Sequence, residues 1–298
     1  EAKVIAPTEK VKRQRMALPE VRLASHARYR ALLVQAKGGD PAPAAIAHPC
    51  DATALSAAVQ AAEAGFIAPI LIGPESKIKA AADTAGIDIS PYRLIDTPHS
   101  HAAAERAAAM AAAGEVRMLI KGSLHTDELM SAVLAGDTGL RTERRLSHCY
   151  LMDVPGYDRP LLITDAAINI NPTLEEKADI IRNAIDVAHV IGIETPRVAI
   201  LAAVETVNPK MRSTLDAAAL CKMADRGQIS GALLDGPLAF DNAVSEKAAK
   251  EKGITSEVAG RADILLVPDL EAGNMVAKQL TFLADADAAG VVLGARVP

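Results

Sequence analysis

The chain has 298 residues, of which half are hydrophobic and only 2% are aromatic, with no tryptophan. This length exceeds what one hydrophobic core usually supports, so we expect one large or two ordinary α/β domains. The formal net charge is −5, which provides no basic surface for nucleic acid. Aromatic side chains for base stacking are also scarce, and we therefore expect no nucleic-acid partner.

The three cysteines, Cys50, Cys149 and Cys221, lie far apart and outside any C-x-x-C pair. Their spacing indicates neither a disulfide framework nor a zinc site, and no metal site is predicted. The sequence also shows no apolar stretch of about 18 residues and no N-terminal signal sequence. We therefore predict a cytoplasmic protein in a reducing compartment, without a membrane partner.

Short apolar segments alternate with alanine-rich helical segments in the first half of the chain. Strands are predicted at 44–47, 68–72, 92–95 and 118–120. Helices are predicted at 51–65, 75–86 and 100–114, and each ends in a glycine, the residue preferred just after a helix. The repeated strand-helix order predicts a parallel sheet with helices on both faces.

The charged stretch LRTERRLSH interrupts this pattern after Gly139, and a second set of elements follows it. Strands are predicted at 149–154, 160–169, 197–205, 229–236 and 262–269, and helices at 173–192, 210–227 and 243–253. We place a domain boundary near Ser147, so that 1–20 is a linker, 21–147 the first α/β domain and 148–298 the second. Because the chain starts without Met and stops just after an apolar run, we expect it to be cut from a longer chain.

Polar residues follow five of the predicted strands. Ligands of open α/β sheets bind beyond the carboxyl ends of the strands, where helix N-termini present free N–H groups. The residues at these ends are Lys121, Ser123, His125, Thr126, Thr164, Asp165, Asn169, Glu205, Thr206, Asp235, Asp241, Asp269, Glu271 and Asn274. Any one of them is more often a turn former or a helix cap than a ligand, so the interpretation as a site depends on their convergence.

One short stretch, Lys121-Gly122-Ser123, combines a cation, a glycine that permits close backbone approach, and a hydroxyl group, which together suit an anionic oxygen. His125, taken alone, is more often a structural histidine than a site residue. Three arginines usually form a solvated face but would attract an anion if they line an interdomain cleft. These are Arg141, Arg144 and Arg145.

Several stretches resemble the phosphate acetyltransferase and phosphate butyryltransferase family, over nearly the whole chain. The motifs that carry the resemblance are KGSLHTDELM, LSHCYLMDVPGYDRPLLITDAAINI, PTLEEKADIIRNA, PRVAILAAVETVNPKM, DGPLAFDNAVSEKAAKEKGI, VAGRADILLVPDLEAGNMVAK and VVLGARVP. The resemblance implies an α/β protein with two domains of the isocitrate/isopropylmalate dehydrogenase type, parallel-rich sheets, an interdomain cleft and a homodimer. It also implies reversible transfer of an acetyl group between acetyl-CoA and inorganic phosphate. CoA is then a substrate, and no cofactor is expected.

The resemblance and the strand-end argument together give candidate residues for this reaction. The catalytic candidates are Lys121, His125, Arg141 and Asn274. The substrate-binding candidates are Gly122, Ser123, Thr126, Asp165, Asn169, Glu205, Asp235, Pro237, Asp241 and Lys278. Lys121, the N–H groups after Gly122, and Arg141 would face phosphate from the first domain, while Asp235 and Asp241 would order the cleft wall near CoA.

Two departures from the family pattern keep alternatives open. A Ser-Arg pair and a later aspartate follow the family's turn that matches Gly294 to Pro298, and this chain ends before them. We expect the family's C-terminal segment, which returns to the first domain, to be missing; a non-catalytic acyl-CoA-binding or oligomerisation module is therefore one alternative. The segment TDELMSAV lacks an arginine, which resembles phosphate butyryltransferases.

The lead-in VIAPTEK, together with HPCD, resembles fusions to an enoyl-CoA hydratase domain. That likeness favours acetyl over butyryl transfer and implies a covalent hydratase partner. A hydroxyacid dehydrogenase on the same fold is a further alternative. It would need clustered aspartates for a divalent metal and a nucleotide-binding loop, and neither is visible in the sequence.

Overall fold

The computed structural model describes residues 26–136 and 139–298, and the predicted lead-in, 1–20, lies outside them. The first part contains α1 (Ala27–Ala36), β1 (Ala42–Ala47), α2 (Ala52–Glu63), β2 (Ile67–Gly73), α3 (Glu75–Ala85), β3 (Arg93–Asp96), α4 (Ser100–Ala112), β4 (Met118–Lys121) and α5 (Thr126–Leu134). The second contains β5 (Ser147–Asp153), β6 (Leu161–Thr164), α6 (Leu174–Val190), β7 (Arg197–Leu201), α7 (Arg212–Asp225), β8 (Leu233–Leu238), α8 (Phe240–Val244), α9 (Glu246–Glu251), β9 (Ile264–Leu266), α10 (Leu270–Leu283) and β10 (Asp287–Leu293).

The first sheet is fully parallel, with the strand order β3-β2-β1-β4. The four strands and three helices predicted for this half are confirmed, while α1 and α5 were not predicted. Helix α4 packs on the sheet through alanines at helical spacing, among them Ala103, Ala104, Ala107 and Ala108, which are fully buried. Because these side chains are small, the helix can approach the sheet closely.

The second sheet has the order β10-β5-β6-β9-β7-β8. Strands β6, β9, β7 and β8 are parallel, whereas β5 runs antiparallel to both β6 and β10. The prediction of an α/β fold with parallel-rich sheets is therefore confirmed, with β5 as the antiparallel strand of this sheet. The connection from β5 to β6, residues 154–160, is too short for the crossover that parallel neighbours require, so it closes a hairpin instead.

Strand β8 extends beyond the predicted strand 229–236, which was expected to place Asp235 near its end. It continues through Gly236 and Pro237 to Leu238, and its pairing with β7 shifts register between Ala199 and Leu201. A register shift of this kind accommodates a proline that cannot donate a hydrogen bond to the ladder. Asp235 therefore lies inside the strand, where its Oδ1 accepts a hydrogen bond of 2.8 Å from the N–H of Gly236.

Several segments of the chain pass between the two sheets. Strand β5 begins at Ser147, where the domain boundary was predicted, and after β10 the chain returns to the first sheet. There the N–H of Leu119 donates to the carbonyl oxygen of Pro298 at 2.9 Å. Conversely, α1 contacts the second sheet, since the N–H groups of Arg28 and Tyr29 donate to Asp153. The predicted domain limits, 21–147 and 148–298, stay a prediction. Helix α1, from the first predicted domain, contacts the second sheet, and the segment after β10, from the second, contacts the first sheet.

Candidate functional site

A cavity of about 650 Å³ lies between the two sheets, and we call it the larger cavity. Its walls come from β4, α5, β5, the turn after β6 and the segment from Gly290 to Pro298. Most of the lining side chains are apolar. Those with polar groups are Lys121, Thr126, His148 and Tyr150. The larger cavity is therefore a predominantly apolar space with polar groups supplied from both sheets.

A second cavity of about 380 Å³, which we call the smaller cavity, shares wall residues with the larger one, including Met130 and Ile168. Its other walls are strongly charged. The charged residues are Arg141, Glu143, Arg144, Arg145, Glu175, Glu176 and Asp179. The two cavities thus adjoin, so an apolar compartment lies next to a charged one.

Lys121, a predicted catalytic candidate, is the last residue of β4 and lines the larger cavity. Its Nζ donates to the carbonyl oxygens of Leu124 at 2.8 Å and of Gly122 at 3.2 Å. These bonds hold the ammonium group in place, and its third N–H has no acceptor among the residues that the structure describes. Thr126, the first residue of α5, lines the same cavity, whereas His125 is the exposed N-cap residue of that helix and lines neither cavity.

The anion site predicted from Lys121-Gly122-Ser123 and the N–H groups after Gly122 stays a prediction, but several of its groups already have partners within the fold. The N–H of Gly122 donates to Ala47 O at 2.8 Å, and the N–H of Ser123 donates to His48 O at 2.9 Å. The Ser123 hydroxyl also donates to His48 O, and it accepts a bond from the N–H of Cys50 at 3.0 Å. These groups join the ends of β1 and β4 and are not free to bind an anion.

The three arginines of the charged stretch differ in their partners. Arg144 forms an ion pair with Asp186, and Arg145 contacts Glu176 at 3.1 Å. Among the residues that the structure describes, Arg141 has no ion-pair partner. The predicted anion trap is therefore reduced to Arg141, whose charge is not neutralised by a carboxylate.

Asp165 and Asn169 are both buried and organise the turn that forms a wall of the larger cavity. The Asp165 carboxylate accepts hydrogen bonds from the N–H groups of Ala167 and Ile168 at 2.8 and 3.0 Å, and from Asn169 Nδ2 at 2.6 Å. Ala167 and Ile168 line the cavity, whereas the two polar side chains do not. This geometry favours a supporting role over direct contact with a substrate.

Helix α10 packs behind the same turn. Asn274 Nδ2 donates to the carbonyl oxygen of Ala166 at 3.3 Å. At Gly273, an added Cβ would lie only 2.9 Å from the carbonyl oxygen of Asp165, so the helix and the turn are in close contact there. Asn274 and the exposed Lys278 line neither cavity, which separates them from Lys121 and Arg141.

The remaining candidates lie at the far strands, β7 and β8. Glu205 accepts a hydrogen bond from Asn242 Nδ2 at 2.5 Å and is 3.6 Å from the Lys252 ammonium. A hydrogen bond from its own backbone N–H, together with that lysine, lowers the pKa of Glu205. Asp235 lies within β8, and Asp241 is an exposed residue of α8. Neither these residues nor Pro237 line either cavity, because β6 and β9 lie between them and β5.

Two cavity residues, His148 and Tyr150, were missed in the sequence. They occupy alternate positions of β5 and so lie on the same face of the sheet, with ring centroids 4.3 Å apart in an edge-to-face arrangement. Burial lowers the pKa of His148, and the negative charge of Asp165 opposes this effect in part. The alternation in the segment SHCYLMD was the available signal, but it also fits an ordinary strand.

No helix in the described ranges is long and apolar enough to cross a membrane. Those ranges also contain no group of three or more His, Cys, Asp or Glu side chains placed to hold a metal ion.

Several known proteins are similar to this chain over most of its length. A model of the family described as phosphate acetyl/butaryl transferase matches residues 100–298. A phosphate acetyltransferase of Rhizobium meliloti is 59% identical over 275 residues, which cover 92% of this chain and 87% of the relative. A phosphate butyryltransferase of Clostridium acetobutylicum is 41% identical over 270 residues, which cover 91% and 90%.

The solved structure of a branched-chain phosphotransacylase from Enterococcus faecalis aligns with a TM-score of 0.76 at 28% identity, covering 86% of this chain and 90% of that one. Together with the sequence matches, this fold identifies the protein as an acyltransferase. The chain belongs to the phosphate acetyl/butaryl transferase family.

Proposed function

We propose that this protein is a phosphate acetyltransferase, which transfers an acetyl group reversibly between acetyl-CoA and inorganic phosphate to give acetyl phosphate and CoA. The observation that carries the proposal is the difference in identity between its relatives. Identity is 59% to the Rhizobium meliloti acetyltransferase, against 41% to the Clostridium acetobutylicum butyryltransferase over a similar length.

The adjoining cavities support this chemistry. Phosphate must be held next to the thioester carbonyl, and the negative charge that develops on the carbonyl oxygen must be stabilised. Arg141, in the smaller cavity, would hold the phosphate dianion. The apolar walls of the larger cavity would hold the thioester, with Lys121 next to the carbonyl.

The test is CoA release from acetyl-CoA and from butyryl-CoA, with and without phosphate, by the full-length protein. We expect phosphate-dependent release with acetyl-CoA and a higher kcat/KM for it than for butyryl-CoA. The reverse preference would make the protein a phosphate butyryltransferase, a possibility favoured by the apolar larger cavity and by 52% identity over 181 residues to a probable phosphate butyryltransferase of Bacillus subtilis. Binding of acyl-CoA without turnover would favour the remaining alternative, a non-catalytic acyl-CoA-binding or oligomerisation module.

Further features implied by the resemblance are also proposals. They are a homodimer, an isocitrate/isopropylmalate dehydrogenase-like arrangement of two domains, the absence of a resident cofactor, a cytoplasmic location, and a covalent fusion to an enoyl-CoA hydratase domain. Light scattering of the purified protein would test the dimer. The mass of the native chain on an immunoblot of cell extract would test the fusion.

A further inference from the structure

His148 is a polar residue of the larger cavity for which the proposed function has not yet supplied a role. Its backbone is firmly fixed, since its N–H donates to Asp165 Oδ2 at 3.2 Å and its carbonyl oxygen accepts a bond from Thr164 Oγ1 at 2.8 Å. These contacts connect β5 with the end of β6. The imidazole is therefore presented to the larger cavity from a rigid strand.

The imidazole itself lacks hydrogen bonds. Nδ1 is buried without a partner among the described residues, and no described group bonds Nε2. A buried polar atom without a partner costs roughly 1–3 kcal/mol, so native structures rarely keep one without a reason. Since the ring lines the larger cavity, a substrate group is the natural partner.

Packing against neighbouring residues holds the imidazole ring in place, but none of these described neighbours forms a hydrogen bond with its nitrogen atoms. On one side it packs edge-to-face against Tyr150. On the other side it lies over Gly290 of β10, where an added Cβ would be only 2.7 Å from Nε2. The ring thus occupies space that is available only because residue 290 is a glycine and has no Cβ.

The protonation state follows from this environment. Burial in the apolar cavity lowers the pKa of His148, despite the opposing charge of Asp165. The other polar side chains that line the larger cavity, Lys121, Thr126 and Tyr150, include no carboxylate. At neutral pH the imidazole is therefore uncharged and has one N–H donor, as a hydrogen bond to a carbonyl oxygen requires.

We propose that His148 is a further catalytic residue, whose neutral imidazole donates a hydrogen bond to the carbonyl oxygen of the acyl-CoA thioester. This inference rests on the proposed function. A phosphate oxygen attacks the carbonyl carbon, the new C–O bond forms, and the π electrons move to the carbonyl oxygen. The oxyanion then restores the double bond as the C–S bond breaks, and the proton given up by phosphate neutralises the CoA thiolate. His148 stabilises the oxyanion without transferring a proton.

The test compares His148→Phe, which keeps an aromatic ring but has no donor, with His148→Gln, which keeps a donor. We expect His148→Phe to lower kcat about 100-fold, the range for loss of one oxyanion donor, with a change in the KM for acetyl-CoA of less than about threefold. His148→Gln should recover at least about tenfold of that loss. His101→Phe, which replaces an exposed histidine outside both cavities, is the matched control and should keep wild-type kcat.

A spectroscopic readout separates this inference from the proposed function. The stretching frequency of a ¹³C-labelled acetyl-CoA carbonyl, bound without phosphate, should fall in the wild type and in His148→Gln, but not in His148→Phe. If the wild type shows no phosphate-dependent CoA release, the proposed function is wrong, and the carbonyl shift still tests the contact with His148. An active wild type with unchanged kcat and carbonyl frequency in His148→Phe would overturn the inference.

Gly290→Ala provides an independent variant in case His148→Phe does not fold. The added methyl group would displace the imidazole while keeping its chemistry. We expect loss of the carbonyl shift and a fall in kcat, whereas wild-type values for both in a folded Gly290→Ala protein with a displaced ring would contradict the proposal.

Discussion

The Arg145 guanidinium donates from Nε to Asn169 Oδ1 at 2.7 Å, which joins the charged stretch between the sheets to the turn after β6. Asn169 in turn donates from Nδ2 to Asp165 at 2.6 Å. This chain of side chains connects the wall of the charged smaller cavity with the turn that lines the larger one. The walls of the two cavities are therefore joined by side-chain hydrogen bonds.

Asp165→Asn should destabilise the protein strongly. In the wild type, the Asp165 carboxylate accepts hydrogen bonds from the N–H groups of Ala167, Ile168 and Asn169. The substitution removes the negative charge and replaces one acceptor oxygen with an NH₂ donor that faces these N–H groups. We expect a loss of about 3 kcal/mol in the free energy of unfolding, measured by urea denaturation. The exposed Asp158→Asn should change it by less than about 0.5 kcal/mol, and equal effects of the two would contradict the supporting role of Asp165.

Arg141→Ala should weaken the binding of phosphate without lowering the stability of the fold. Because Arg141 has no ion-pair partner among the described residues, its removal leaves no buried carboxylate uncompensated. We expect the KM for phosphate to rise at least about tenfold, as for the loss of a charge-assisted hydrogen bond, with an unchanged melting temperature. Arg145→Ala, by contrast, should lower the melting temperature, because Asn169 and Glu176 lose their partner. An unchanged phosphate KM in Arg141→Ala would place phosphate elsewhere.

Gly122→Ala should destabilise the first sheet. An added Cβ at this position would lie 2.6 Å from the carbonyl oxygens of both Ala47 and His48, which are backbone atoms that cannot rotate away. We expect a loss of roughly 2–3 kcal/mol in the free energy of unfolding. Gly156→Ala, where a Cβ meets nothing within 4 Å, is the control, and a similar loss there would show that the close approach at Gly122 is not the cause.

Stability should depend on pH through His148. Burial lowers its pKa below the ordinary value of 6.5, so the unfolded chain binds the proton more readily than the folded protein does. The stability is therefore fully present above 6.5 and is lost as the pH falls through the lowered pKa. Urea denaturation at about pH 8 and about pH 5.5 should show this loss in the wild type, and a smaller one in His148→Phe. Equal losses in both proteins would rule out His148 as the source.

The strands of the first sheet and the helices α2, α3 and α4 were predictable because periodicity and glycine caps are local properties of the sequence. Lys121 and Thr126 were predictable as cavity residues for a related reason, since residues just beyond parallel strands meet at one edge of a sheet. The family motifs likewise indicated acyl transfer. These properties depend on the order of residues along the chain and need no knowledge of packing.

The tertiary structure decided which polar groups are free. Ser123 and the N–H groups after Gly122 were predicted to bind an anion, but the hydroxyl and the N–H of Ser123 already donate to the carbonyl oxygen of His48. His148 was overlooked, yet within the described part of the chain its imidazole has no hydrogen-bond partner at the larger cavity. A hydrogen-bonding group can bind a substrate only if no other part of the fold satisfies it. Segments distant in the sequence supply those partners. The sequence therefore determined where polar residues lie along the chain, whereas long-range packing determined which of them can still bind a substrate.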